Sequence, residues 1–396
     1  MNVPEEAEVV VIGAGIMGLA IAYNLARLGA ETVLVVDRSY LCGGATGRNG
    51  GGIRAQWSSE TNVRLMQESI RMCRDFASTM KINVWFRQGG YLFITRTKER
   101  SAGLEASVKL QNECGLPTRM LTPAEARKVV PELDVNGIEA ASYNPDDGVV
   151  FPWPFVWGFA KGAEKLGVRV STFTEVLGFE TKGSAIEAVV VGPVGKPGGR
   201  RSGAPSVRVR TRKVVNAAGA WSPAIGAMLG VSLPNVPHRH EICSTEPLKP
   251  WLKPLVADLT DGLYFSQSTR GEIVGGVGQS RVPHGHNQES SHAFLGRYAS
   301  ALTRTCPVLG PVKVLRQWAG LYDLTPDQNP IVGPVDEVEH FYQASGFMGH
   351  GFMMAPIMGK VLAEAIMTPK PSELLERWSL SRFRTGKLLS EAMIIG

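Results

Sequence analysis

Three glycines, Gly13, Gly15 and Gly18, stand between a β-branched run, Val9 to Ile12, and an apolar-periodic stretch that continues to about Leu28. That spacing suits phosphate chemistry. Gly13 makes a tight turn, Gly15 lets the backbone approach a pyrophosphate, and Gly18 lets a helix pack closely on its strand. Phosphate oxygens then meet the N–H groups and the positive dipole end of the helix that opens at Ile16 and Met17. A second strand-like run ends at Asp37, 19 residues after Gly18, where a carboxylate accepts hydrogen bonds from ribose hydroxyls. A lone G-x-G-x-x-G is weak. Here strand, helix, second strand and acid fall in order, so dinucleotide binding outweighs a merely structural glycine turn, and redox chemistry becomes the default.

The elements that must position this turn have room to do so. The 396 residues suffice for two domains with sizeable cores, and 44% hydrophobic with 20% charged residues describes an ordinary globular chain. The net charge of +6 sits partly in Gly192 to Lys213, whose Gly and Pro density reads as a hairpin tip or mobile loop with solvated arginines. No aromatic interleaving accompanies it, which argues against a nucleic-acid partner. No apolar run approaches the ~18–20 residues of a membrane span. The opening MNVPEEAE is short and acidic, unlike a signal peptide. The 5 cysteines (Cys42, Cys73, Cys114, Cys243, Cys306) are scattered with no C-x-x-C pair, as suits a reducing compartment and neither a disulfide framework nor a zinc–cysteine site. A cytoplasmic location is expected, free or peripheral on the inner membrane face.

Along the chain, a glycine-rich loop (Gly43 to Gly52) precedes Ile53 and Arg54, and a helix is expected over Glu60 to Met80. Lys81 to Thr95 reads as paired strands and Arg100 to Cys114 as a helix. Thr122-Pro-Ala-Glu125 carries a helix-entry signature. Lys161 to Glu175 reads as helix then strand, and Lys213 to Asn216 as a strand running into Ala217 to Trp221. Alternation from Pro234 to Val277 predicts a mostly antiparallel sheet. The chain then returns to strand (His340 to Ala344), glycine loop (Gly346 to Gly351) and helix (Ala355 to Met367). Gly275 to Gly278 opens no helix, so one dinucleotide is expected. This order makes the dinucleotide domain discontinuous, over 1–80, 141–225 and 315–396. The second domain takes 81–140 and 226–314, with the ligand crevice where parallel strands end and the inserted sheet covers them.

The segments VIGAGIMG…VVDR, ATGRNGGGIR, NAAGAW, WAGLYDLTPDQNPIVG and GFMGHGFMMAP occur in that order across the chain. They resemble the D-amino-acid oxidase-like flavoproteins, among which the closest look is to the β subunits of dye-linked L-proline dehydrogenase and heterotetrameric sarcosine oxidase. The resemblance implies an α/β fold (α+β overall), a Rossmann-type FAD-binding domain with an inserted, mostly antiparallel β-sheet substrate domain. It implies FAD with the pyrophosphate on Gly13, Gly15, Ile16, Met17 and Gly18, and the adenosine end on Asp37 and Arg38. Ala45, Thr46, Asn49, Gly51 and Gly52 would follow the ribityl chain and flavin, and the backbone of Val176 would meet the adenine. Ala217, Ala218, Gly219 and Trp221 would pass beneath. Gly346, Gly349, His350, Gly351 and Phe352 would bring helix N–H groups to the flavin pyrimidine edge, where negative charge gathers on reduction.

Departures from the family pattern sharpen the expectation. Gly320 stands where monomeric sarcosine oxidase has its FAD-linking cysteine, which implies noncovalent FAD. Pro152 stands where heterotetrameric relatives attach FMN to histidine, so an FMN at a subunit interface would also be noncovalent, and its presence stays open. Val274 replaces the oxygen-activating lysine, which favours a dehydrogenase passing electrons to an acceptor other than oxygen. The glycine-oxidase arginines fall on Tyr322 and Gly349. Arg54 is then the candidate cation for a substrate carboxylate, weighed evenly against a structural salt bridge, with Arg48 behind it. Tyr264 and Tyr322 are candidates to face the substrate, and His350 to touch flavin or substrate; a packed aromatic or histidine is the plain alternative in each case. The pairs His238/His240 and His284/His286 lack a third ligand, so no metal is expected. The implied reaction is hydride transfer from Cα of a small amino acid, L-proline first, then sarcosine or hydroxyproline. Alternatives are a 2-hydroxy acid or glycerol-phosphate dehydrogenase, and a flavin-bearing subunit inactive without partners. Implied partners are other flavin- or ferredoxin-type subunits, or further copies of the chain.

Overall fold

The structure, a computed structural model, describes residues 3–195, 205–278, 282–368, 370 and 372–394. Much of the expected hairpin tip at Gly192 to Lys213 (196–204) lies outside the described residues. The chain divides into two compact units. The first comprises Met1–Gly47, Trp153–Pro237 and Tyr322–Leu389, and the second Arg48–Pro152, His238–Leu321 and Ser390–Gly396. Both are discontinuous. Their boundaries differ from the expected ones in that 48–80, 141–152, 315–321 and 390–396 belong to the second unit and 226–237 to the first. The fold is mixed α/β: a parallel-centred sheet in the first unit and a mostly antiparallel sheet in the second.

The first unit is built on a nine-stranded sheet. Its parallel centre runs Val338–Ser345, Lys213–Asn216, Val9–Ile12, Val33–Val36 and Arg169–Ser171, in that spatial order. Val9 to Ile12 is buried throughout, as expected of a strand covered on both faces. Antiparallel strands extend one side: Thr174–Lys182 and Val207–Arg210 on Ala185–Pro193, and Ile331–Val335 on Val338–Ser345. The helix Ile16–Arg27 packs against the long helix Gly351–Met367 through Gly359, where a Cβ would lie 2.6 Å from the Ala20 carbonyl carbon. That second helix starts four residues earlier than the apolar pattern predicts, because Gly351 to Met354 are apolar or small and continue the buried face.

The second unit carries an eight-stranded sheet in the order Val314–Leu324, Val236–Pro247, Glu272–Gly276, Tyr264–Gln267, Leu255–Asp258, Tyr91–Thr95, Ala140–Asn144 and Arg119–Leu121. All but one of its described pairings are antiparallel; Leu255–Asp258 runs parallel to Tyr91–Thr95. The expected strand pair over Lys81 to Thr95 is a single strand, Tyr91–Thr95. Positive φ at Lys81 (57°), Trp85 (49°) and Gly90 (86°) breaks the first half, whose Arg87–Val149 bridge runs to the separate two-stranded ladder of Gly52–Ile53 and Gly148–Val149. The helix-entry signature at Thr122 forms a full capping box, with Thr122 N–H 2.8 Å from Glu125 Oε2 and Glu125 N–H 3.3 Å from Thr122 Oγ1. Among the described residues, no helix is long and apolar enough to cross a membrane.

Candidate functional site

In the first unit the glycine turn has the geometry its spacing demands. Gly13 has φ +114°, and a Cβ there would lie 2.4 Å from Ala217 O. A Cβ on Gly18 would lie 1.9 Å from Gly13 O, so the helix can sit on its strand only without a side chain there. Gly15 is the residue before the helix, extended at φ −76° and ψ 175°, with its Cα side facing Thr46 Oγ1. Of the first-turn N–H groups, that of Ile16 donates to Thr46 Oγ1 at 3.2 Å. That hydrogen bond holds Thr46 over the turn. Met17 and Gly18 lie in the turn whose N–H groups have no intrahelical carbonyl.

Asp37 is fixed from two sides. Its Oδ2 accepts Ala14 N–H at 2.7 Å and its Oδ1 accepts Ser39 N–H at 2.7 Å. Burial pushes its carboxyl up, against the pull of those two backbone donors and of Arg38. A carboxylate offers about four lone-pair sites, so two bound N–H groups leave room for a ribose hydroxyl. The Arg38 guanidinium lies 5.9 Å from the Trp221 ring centroid. Ala217 closes the Gly13 turn, its N–H donating to Ile12 O at 2.9 Å, while Gly219 turns the chain at φ +54°. Val176 sits beside a register shift, where Val176 faces Val191 but Gly178 faces Val190, so Leu177 bulges and the ladder is locally interrupted.

The glycine loop before the long helix is held from behind. Asp323, buried, accepts Gly346 N–H at 2.6 Å through Oδ2 and Asn235 Nδ2–H at 3.1 Å through Oδ1. The same Asn235 amide donates to Ser345 Oγ at 3.2 Å. Desolvation raises the Asp323 carboxyl to about 7 against these two donors. The Gly346 N–H, expected on the flavin, is thus committed to Asp323. His350 is buried and its N–H donates to Phe347 O at 2.9 Å, directly before the first helical residue. Phe352 packs on Phe155 with centroids 5.3 Å apart, so only its backbone is available to a ligand.

The other loop candidates belong to the second unit, except Ala45 and Thr46, which close the first unit in a short 3₁₀ turn. Asn49 Oδ1 accepts Gly51 N–H at 2.7 Å and bends the loop; Gly51 has φ +77°, with Val150 O 2.1 Å from where its Cβ would be. Gly52 leaves space for the Tyr91 hydroxyl, 1.8 Å from its missing Cβ. Trp318 Nε1–H donates to Arg48 O at 3.0 Å.

Arg54, the candidate cation, is 1% exposed, and its guanidinium donates to Gln56 O and, at 2.5 Å, to Met393 O. It also lies 4.0 Å from the Trp57 ring centroid. These backbone carbonyls and the indole face give Arg54 the structural role that was weighed against a carboxylate anchor. The partner segment is itself clasped. Glu391 accepts hydrogen bonds from Ser58 N–H (2.7 Å), Ser59 Oγ (3.2 Å) and Asn62 Nδ2 (3.0 Å), at the start of the helix Glu60–Met80. Beside Arg54, the buried Asp147 accepts Ala55 N–H (2.7 Å), Gln56 Nε2–H (3.0 Å) and Asn144 Nδ2–H (3.2 Å). Desolvation raises its carboxyl to about 7, opposed by these donors and by Arg54.

Tyr264 is half-buried, its ring edge 3.7 Å from the position of a Cβ on Gly50. Its hydroxyl lies 3.1 Å from His240 Nε2. His238 faces His284 at 5.6 Å between centroids, and among the described residues no group of three or more His, Cys, Asp or Glu could hold a metal. Sequence reasoning missed Asp323, Asp147 and the His240–Tyr264 pair. Only the fold reveals that the first two are buried.

The glycine cradle, the paired donors on Asp37 and the φ values that exclude side chains fit a dinucleotide pyrophosphate and its ribose. Residues 8–365 match the family described as FAD dependent oxidoreductase. The chain is 35% identical to L-proline dehydrogenase from P. horikoshii, with a TM-score of 0.89 over 98% of this chain and 100% of that one. It is 29% identical to sarcosine oxidase subunit beta of Rhodobacter capsulatus, over 98% of this chain and 91% of that protein. It is 31% identical to FAD-dependent oxidoreductase domain-containing protein 1 of Bos taurus, over 99% of this chain and 88% of that one. The cradle at Gly13 to Asp37 and these matches along nearly the whole chain agree: this protein belongs to the FAD dependent oxidoreductase family.

Proposed function

We propose that this chain is a dehydrogenase of small amino acids, with L-proline the first candidate substrate and sarcosine or hydroxyproline next. The likeness to L-proline dehydrogenase, at a TM-score of 0.89 and 35% identity, carries the reading. Bound noncovalently, FAD would supply a two-electron acceptor for hydride leaving the substrate Cα. Gly13, Gly15, Met17 and Gly18 are the proposed pyrophosphate cradle, Asp37 the ribose acceptor, and Ala217 to Gly219 the floor. The buried Gly320 offers no thiol for a covalent link. Val274, half-buried in its strand opposite Ser266, puts no cation where an oxidase of this family would use one, which favours an acceptor other than oxygen. The chain's own task is positioning: to hold a neutral amine and its carboxylate in one orientation and keep water out. Likeness to a protein named as a subunit supports work in a hetero-oligomer, with a homo-oligomer the alternative.

The experiment is a dye-reduction screen on purified yellow protein with proline, sarcosine, D-amino acids, 2-hydroxy acids and glycerol phosphate. Reduction by secondary amino acids is the expected result. Reduction by hydroxy acids or glycerol phosphate alone would overturn the amine reading. Size measurement alongside tells a self-sufficient enzyme from a subunit that needs partners, and acid precipitation should leave all flavin in the supernatant.

A further inference from the structure

Three parallel neighbours in the first unit, Val9–Ile12, Lys213–Asn216 and Val338–Ser345, end at one edge of the sheet. They deliver the Gly13 turn, Ala217 to Gly219 and the Gly346 loop to that edge, where an open α/β sheet takes its dinucleotide. One residue holds the Gly346 loop twice. Asp323 Oδ2 accepts Gly346 N–H at 2.6 Å, and the Asp323 backbone carbonyl accepts Met348 N–H at 3.3 Å. Both gripped residues have left-handed backbone, φ +76° at Gly346 and +50° at Met348. The other carboxyl oxygen faces a second polar layer. Asn235 Nδ2 donates to Asp323 Oδ1 at 3.1 Å and to Ser345 Oγ at 3.2 Å, and all three side chains are buried. Asn235 Oδ1, also buried, meets no donor among the described residues. No charge acts on the Asp323 carboxyl from Tyr322 on its own strand, Tyr342 on Val338–Ser345 or His350 in the loop, and Arg382 is taken by Asp327.

We propose that Asp323 is a positioning residue that holds the Gly346 loop with or without a proton, because the Asn235 amide turns over to follow that proton. With Asp323 ionised, Asn235 Nδ2 donates to both neighbours, as it stands. With a solvent proton on Asp323 Oδ1, a half-turn of the amide brings Asn235 Oδ1 to face the carboxyl O–H and the Ser345 hydroxyl, and its two lone pairs accept both. Oδ2 keeps the Gly346 N–H throughout. Burial without a cation favours the protonated form and carries this carboxyl up to about 7 against its two donors, so both forms occur near neutral pH. The bearing on the cofactor rests on the FAD reading above. A bare carboxylate behind the loop opposes the negative charge that reduction places on a flavin, and a proton on Asp323 removes that opposition.

Three readouts on the FAD-loaded protein test this across about pH 5 to 9. The side-chain amide resonances of Asn235 should titrate near neutrality in wild type and stay still in Asp323→Asn. Hydrogen-exchange protection at the Gly346 amide should stay within about threefold across that range in wild type and in Asp323→Asn, a neutral isostere that keeps an acceptor for it. It should fall roughly tenfold in Asp323→Leu, which leaves that N–H unmet. The flavin midpoint potentials of wild type and Asp323→Asn should coincide below about pH 6, and wild type should lie lower above about pH 8. If Asp323→Leu does not fold, Asp323→Asn carries the test through the Asn235 titration and the potential. A still Asn235 amide in wild type, full Gly346 protection in Asp323→Leu, or equal potentials at every pH would overturn the role. A chain that takes up no FAD, yet shows the Asn235 titration and the Gly346 protection pattern, would overturn the FAD reading and leave the hold on the loop standing.

Discussion

The Tyr322 ring lies against the backbone of Gly349, so that a Cβ at 349 would come within 2.8 Å of both Cζ and Oη. These are the two positions where the resemblance places arginines in glycine oxidase. Here they are coupled by contact: a bulky ring on one side requires the absence of a side chain on the other. Gly349→Ala should therefore cost about 1–3 kcal/mol by overpacking, read as a fall in Tm and in FAD retention. Tyr322→Ala in the same chain should recover most of the loss. Equal effects in the presence and absence of the ring would show that the crowding arises elsewhere.

Arg54→Ala is expected to act on stability. It strands the Gln56 and Met393 carbonyls and removes the cation from the Trp57 face. Leaving buried acceptors unmet costs about 1–3 kcal/mol each. Denaturation midpoints should fall sharply while KM in the surviving folded fraction stays near wild type. A large KM rise with unchanged stability would restore Arg54 to the substrate.

Two buried acids give stability a pH dependence. Asp147 and Asp323 are both raised by desolvation to about 7 from the ordinary 3.8 of an aspartate. Between those values the native chain holds protons that the unfolded chain releases, so these groups lower stability as pH rises from about 4 to 7. Thermal unfolding across that window should show a falling Tm. Asp147→Asn should make the slope shallower, although its absolute Tm drops because all three partners of that carboxylate are donors. An unaltered slope would mean that Asp147 is ionised throughout.

Arg382 and Asp327 form a buried ion pair at 2.8 Å, with side chains 3% and 1% exposed. The guanidinium also donates to Asn329 O at 2.8 Å and Trp378 O at 3.0 Å, tying the segment around 373–385 to the Thr325–Asn329 loop. Desolvation raises the Asp327 carboxyl, but the hydrogen bonds and charge of Arg382 together with the Leu389 and Asn329 N–H groups outweigh it, and the net shift is downward. Removing one partner, as in Arg382→Met, should cost about 3–5 kcal/mol in urea unfolding. A loss below about 1 kcal/mol would place the hold on this segment in its apolar contacts instead.

The parts legible in the sequence were those written locally. The close approach of Gly18 to Gly13, the Thr122 capping box and the helix Glu60–Met80 depend on neighbours within a few positions, and each follows its pattern. Lys81 to Thr95 misled because alternating apolar residues at Val84, Phe86 and Tyr91 mimic strands, while left-handed backbone at Lys81 and Trp85 prevents a ladder. The surroundings of Arg54 were hidden for a different reason. Its sequence neighbours are glycines and Ile53, but the partners that fix it include Met393, 339 positions away. Burial of a charged side chain by a distant segment leaves no local trace, and the same holds for Asp323 and Gly346.

The clasp between Glu391 and Ser58 joins residues 333 positions apart. During synthesis residues 391–393 must therefore emerge before the second unit can close around Arg54. Until then Trp57, Phe93 and the slot for Met393 stay open to chaperones and proteases. Each unit is assembled from three separate stretches, so cutting the gene at any single point yields no piece with a complete core. Tags or fusions placed after residue 393 load the element that locks last.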